Sequence, residues 1–164
     1  MRKILVLGLG NPILTDDGVG VRVAEAVRRA LPPETSIQVS EASTGGVGLM
    51  ERMVGYERVI LIDALHNDSR GSPGRIHRLT VDDLQTICPT QHTASAHDTN
   101  LTTALKLGRR MGLPLPREIV IYAIEVENIY DFGEEPTPAV KRAIPRVTAA
   151  VLSDLRNLKS GKFA

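Results

Sequence analysis

Tryptophan is absent, and three tyrosines and two phenylalanines make up the whole aromatic complement. So few rings leave little on which nucleic-acid bases could stack. The formal net charge of +1 supplies no basic face for nucleic acid or an anionic membrane, and neither is expected as a partner. Cys88 is the only cysteine, which excludes a disulfide within the chain and a cysteine-built zinc cluster. It reads as a small, half-buried hydrophobe. No run approaches the roughly 20 apolar residues of a membrane helix. Arg2 and Lys3 ahead of an apolar run resemble the opening of an export signal. That run gives way within about six residues to glycines and acids, so it reads as a strand. These absences point to a cytoplasmic protein, with residues 1–164 as a single domain.

What the chain does have is concentrated in its first twenty residues, MRKILVLGLGNPILTDDGVG. Lys3–Leu7 lacks polar alternation, the pattern of a strand buried on both faces of a parallel sheet. Gly8 and Gly10 follow, where a tight turn or a close backbone approach leaves no room for Cβ. Asp16 and Asp17 come next, ahead of a helix over 18–31 with Val19, Val23, Ala26, Val27 and Ala30 on one face. Either aspartate is placed to cap that helix.

Further strands are expected at 36–42, 57–63, 74–79 and 118–124, with 74–79 at an edge. The stretch Ser43–Gly48 reads as a glycine loop before a short helix carrying Leu49, Met50 and Met53. Helices are expected from Asp98 or Thr99, and from Thr137-Pro138 as N-cap and first helical residue, with Pro145 kinking or restarting the last one. Strands alternating with helices predict an α/β fold, a three-layer α/β/α sandwich. Periodicity leaves the strand order open.

Three side chains stand out once the strand ends are marked: Asp17 after the first strand, Asp63 closing the third, and His97 just before a helix. Strand ends about 4.8 Å apart can bring such groups together at the carboxyl edge of a sheet, where open α/β proteins build their sites. Two carboxylates and an imidazole would suit a borderline divalent metal with open positions. Each also has a plain structural role: helix capping for Asp16 and Asp17, loop-amide bonding for Asp63, exposure for His97. His66 has a weaker claim on such a site, and His77 and His92 read as solvated. The dinucleotide fingerprint fails at Ile13, and no P-loop, GxSxG or HExxH pattern occurs.

GLGNPILTDDGVG with its helix, LIDAL at Leu61–Leu65 and SAHDTNL at Ser95–Leu101 together resemble the hydrogenase maturation proteases, in order and spacing, over nearly the whole chain. The resemblance implies a five-stranded, mostly parallel mixed sheet of the phosphorylase/hydrolase-like kind, in the order 2-1-3-5-4. It also implies a nickel-dependent endopeptidase, a monomer, that removes a C-terminal extension from a [NiFe] hydrogenase large-subunit precursor. By the same resemblance Asp17, Asp63 and His97 are the metal ligands and act in catalysis through the metal. Asp16 is then a cap or supporting group. Gly45 and Gly46, within the Thr44–Leu49 loop, belong to the substrate side. The nickel arrives with the substrate; cadmium or zinc is expected to occupy the same ligands in its absence. Relatives often carry Glu where this chain has Asp17, which is one methylene shorter. Two other readings are a metallochaperone that docks the large subunit without cutting it, and a peptidyl-tRNA hydrolase-like enzyme, which shares only GLGNP and lacks its catalytic histidine stretch.

Overall fold

In the computed structural model, which describes residues 3–66, 71–87 and 98–160, the chain alternates between strand and helix around one sheet. The strands are β1 (Ile4–Leu9), β2 (Ile37–Ala42), β3 (Arg58–His66), β4 (Ile76–Thr80) and β5 (Glu118–Val126). The helices are α1 (Val19–Ala30), α2 (Gly46–Met53), α3 (Val81–Ile87), α4 (Asp98–Arg110) and α5 (Pro138–Ser160). The sheet order is β2-β1-β3-β5-β4, with β4 antiparallel at one edge and every other pair parallel. This is the expected five-stranded mixed sheet.

Period-two alternation in buried strands divides the core into two layers. Val6, Ile60, Ile62, Tyr122 and Ile124 face α1 and α5, meeting Val23, Val27, Val147 and Val151. Leu5, Leu7, Leu61 and Ile121 face α2 and α4, meeting Leu49, Met53, Leu101 and Leu105. Helix α1 lies very close to the sheet because two glycines abut there. A Cβ on Gly8 would sit 2.3 Å from the Gly20 carbonyl oxygen, and one on Gly20 2.3 Å from that of Ile62. On the outer side, the Tyr122 hydroxyl donates to Asp154 Oδ2 at 2.8 Å and Arg78 Nε donates to the same oxygen at 2.9 Å, tying β5 and β4 to α5. Burial, reinforced by that hydrogen bond, pushes the Tyr122 phenol up to about 12.

Several expected boundaries shift. β3 runs on past Asp63 to His66, and β5 past Ile124 to Val126, because the two strands keep pairing there, Asp63 with Ala123 through His66 with Val126. The glycine stretch after β2 is only partly a loop, since α2 already opens at Gly46. On α1 the buried positions include Gly20, Val21 and Ala24, while Ala30 is exposed. Helix α5 continues without a restart through Pro145, an exposed position.

Candidate active site

The carboxyl edge of the sheet is built from the exits of β1 and β3. The last residue pair between these strands is Gly8 with Ile62, so Asp63 is the first β3 residue beyond it. Asp63 therefore lies inside β3 rather than closing it. It is buried at 3% exposure, and its Oδ1 accepts a hydrogen bond from the Ala64 amide at 2.8 Å. Alternation puts it on the α2 and α4 side, with Leu61 and Ala123.

After β1 the chain turns sharply. Gly10 has φ +122°, and a Cβ there would stand 1.9 Å from the Asp17 carbonyl oxygen; both facts require glycine. The turn brings Asp17 back over the strand end, where the Asn11 amide donates to its Oδ2 at 2.7 Å. Among the described residues no hydrogen bond reaches Asp17 Oδ1. Asp17 does not cap α1: the capping position is Gly18, with no side-chain bond. Neither does Asp16.

Asp16 is fully buried and serves a different purpose. Its carboxylate accepts hydrogen bonds from the Glu127, Asn128 and Thr137 amides at 3.3, 3.1 and 2.7 Å and from the Thr137 hydroxyl at 3.0 Å. It thus fixes both ends of the connection between β5 and α5. Thr15, a β-branched residue at φ 38°, is held there by its amide to the Gly133 carbonyl at 2.9 Å and its hydroxyl to the Asp131 carbonyl at 2.6 Å. A left-handed threonine persists only where its surroundings over-determine it, and such strain gathers at sites. Here it sits directly before the two aspartates.

A second polar pair lines the same edge on β5 and β4. His77 Nε2 lies 2.6 Å from Glu125 Oε1, and the Ser72 amide donates to Glu125 Oε2. Burial alone would push the Glu125 carboxyl up, but the His77 and Ser72 hydrogen bonds and the charge of nearby Arg75 bring it below its ordinary value. His77 is therefore paired rather than simply solvated. His66, at the end of β3, meets Tyr130 edge to face, ring centres 5.7 Å apart.

Asp17 and Asp63 thus stand at neighbouring strand exits, and Gly45 and Gly46 follow β2 on the same edge, Gly46 opening α2 at φ +56°. His97, His92, Cys88 and the Pro89–Ala96 loop lie outside the described residues. Among the described residues no three His, Cys, Asp or Glu side chains gather as a metal cluster, so two members of the predicted trio are in view. Two clefts of about 280 and 310 Å³ open at the other edge of the sheet, beside Leu31 and Ile37 and beside Arg117 and Ile119. The Asp16 anchor escapes a sequence reading because its partners are 111 and more residues away; only the doubling of the acid signalled two tasks.

A mostly parallel sheet with acids at adjacent central strand exits is the arrangement in which open α/β proteins build their sites at the carboxyl edge. The chain belongs to the hydrogenase maturation proteases, whose family model matches residues 21–154. It is 27% identical over 158 residues to the hydrogenase 2 maturation protease of Escherichia coli, covering 94% of this chain and 91% of that one. It is 28% identical over 149 residues to the hydrogenase expression/formation protein HupD of Thiocapsa roseopersicina, covering 91% of this chain but 64% of HupD. The solved hydrogenase maturating endopeptidase HybD from E. coli superimposes with a TM-score of 0.79 at 28% identity, covering 96% of this chain and 93% of HybD. The [NiFe] hydrogenase maturation protease HybD from Thermococcus kodakarensis gives 0.68 at 25%, covering 93% and 98%. Among the described residues no helix is long and apolar enough to cross a membrane.

Proposed function

We propose that this maturation protease removes a C-terminal extension from the precursor of a [NiFe] hydrogenase large subunit after nickel has been inserted, and that it does so as a cytoplasmic monomer. The observation that carries this reading is the pair of carboxylates at neighbouring strand exits, Asp17 held through Oδ2 by the Asn11 amide and Asp63 one strand away. Nickel enters as part of the substrate, held by the precursor. Asp17 and Asp63, with the His97 imidazole, would complete its coordination sphere, a mixed oxygen and nitrogen set suited to a borderline divalent ion. Once anchored, the ion supplies a positive charge beside the scissile bond. Asp17 is oriented by the Asn11 amide and by the backbone contact at Gly10. Gly45 and Gly46 would let the substrate backbone approach the same edge without side-chain obstruction.

Anchoring through substrate-borne nickel makes cleavage conditional on metal insertion. The test is to mix the protein with nickel-loaded and nickel-free precursor and follow the precursor's C-terminus by mass spectrometry. Cleavage of the loaded form alone is the expected outcome. Equal cleavage of both would remove the metal from the reading, and binding of the loaded form without cleavage would turn it into a docking protein. Alanine at Asp63 or His97 should abolish processing in a folded protein. Cadmium and zinc, offered without substrate, should bind more weakly to Asp17→Ala.

A further inference from the structure

The connection between β5 and α5 displays apolar side chains to solvent. Tyr130 is 72% exposed, Phe132 82% and Ile13 49%. Two of the chain's five aromatic residues are thus spent on one exposed loop, and an exposed apolar patch of this kind marks an interaction surface. The segments carrying these residues lie side by side: the Gly133 amide donates to the Ile13 carbonyl, and the Thr15 amide to that of Gly133, both at 2.9 Å.

The loop is also built to be stiff. Asp16 grips both its ends, the Asn128 side chain accepts from the Tyr130 and Asp131 amides, and Arg22 donates to the Glu134 carbonyl. A surface held this firmly loses little conformational entropy when a partner docks. Tyrosine and other large rings at the centre of such a patch are the usual sources of binding energy. Within the loop itself the charge is acidic: Glu127, Asp131, Glu134 and Glu135 carry it, residues 127–135 contain no lysine or arginine, and Arg22 and Lys141 border it at the Glu134–Glu135 end. Only Glu135 pairs with a cation there among the described residues, Lys141 at 2.6 Å. Like charge disfavours a second copy of the chain on this face and selects a partner with basic groups around an apolar centre.

We infer that Ile13, Tyr130 and Phe132, ringed by Glu127 and Glu134, form the docking lip for a basic-rimmed apolar face of the large-subunit precursor. The inference rests on the proposed substrate. The lip adjoins the acidic edge, since the Tyr130 ring packs on His66, three residues beyond Asp63 on β3. A precursor seated on it therefore presents its scissile segment to Asp17 and Asp63.

The experiment measures binding of nickel-loaded large-subunit precursor from the same organism to the immobilised full chain, apart from any cleavage. Tyr130→Ser with Phe132→Ser should weaken the Kd about tenfold or more, mainly through faster dissociation. Glu127→Lys with Glu134→Lys should slow association severalfold at low salt and flatten its salt dependence. The substituted side chains are exposed, so urea midpoints should stay at the wild-type value, which checks the fold. A Kd within twofold of wild type for the ring variant overturns the inference. So does a wild-type dimer in light scattering that the ring variant makes monomeric, because the occupant is then a second copy. Precursor that binds through the lip yet is not cut would overturn the protease reading and leave the lip standing. Precursor that is cut normally by ring variants with unchanged affinity would do the reverse.

Discussion

The Asp16 carboxylate accepts from three amides and a hydroxyl, while Asp17 accepts one amide on Oδ2 and, among the described residues, no hydrogen bond on Oδ1. Their substitution by asparagine should therefore separate stability from activity. Asp16→Asn puts an NH2 group where an oxygen meets donors, and at a fully buried position that should cost about 2–3 kcal/mol in urea unfolding. Asp17→Asn keeps an oxygen for the Asn11 amide and should stay within about 1 kcal/mol of wild type, yet lose processing. The opposite ranking would exchange the two roles. A sequence shows adjacent acids and a helix start, and capping is the local inference from them. It does not show a carboxylate reaching residues 127 and 137, because side-chain bonds between distant segments leave no periodic trace. Likewise the glycine at position 10 is legible as a turn, whereas the left-handed Thr15 is not, since threonine ordinarily avoids that conformation.

Helix α1 and strand β1 meet through Gly8 and Gly20, and that contact carries the geometry of the Asp17 turn, which connects them. Gly20→Ala would gain about 1 kcal/mol of helix preference. It would also force a Cβ to within 2.4 Å of both the Ile62 and Leu9 carbonyl oxygens, which are backbone atoms in the sheet centre. The helix must lift, and a net loss of about 2 kcal/mol or more is expected, seen as a lower melting temperature together with reduced processing. Gly55→Ala is the control: its φ of +85° carries strain but nothing lies within 4 Å, so about 1 kcal/mol is expected, with processing intact. At this scale most of the fold is readable, because β1, β3 and β5 are aliphatic runs with one burial pattern. Strand ends are read less well. β3 and β5 continue past the polar Asp63 and Glu125 because they pair with each other beyond the end of β1, a fact of register rather than composition.

Among the described residues three carboxylates are held below their ordinary values: Glu125 by the balance of His77, Ser72 and Arg75 against its burial, Asp83 by the Thr80 amide and hydroxyl, and Glu135 by Lys141. A depressed folded value means that the unfolded chain takes up the proton first as pH falls. Their contribution is therefore complete above the ordinary carboxylate value of 4.5 for Glu125 and Glu135 and 3.8 for Asp83, and is lost as pH drops through the lower folded values. Asp83 and Glu135 are solvent-exposed, where screening leaves such pairs little weight. Glu125 is buried, so it should dominate. Glu125→Gln keeps partners for His77 and the Ser72 amide but cannot ionise, and should cost about 1 kcal/mol at pH 7. Urea unfolding of both proteins from pH 7 down to pH 3 then gives a difference curve. It should shrink toward zero as pH falls below the ordinary carboxylate value of 4.5, since protonation turns the wild-type side chain into the neutral group the variant already carries. A difference that stays constant to pH 3 would mean that the His77–Glu125 contact stabilises the acidic edge by shape and hydrogen bonding alone, with no contribution from charge.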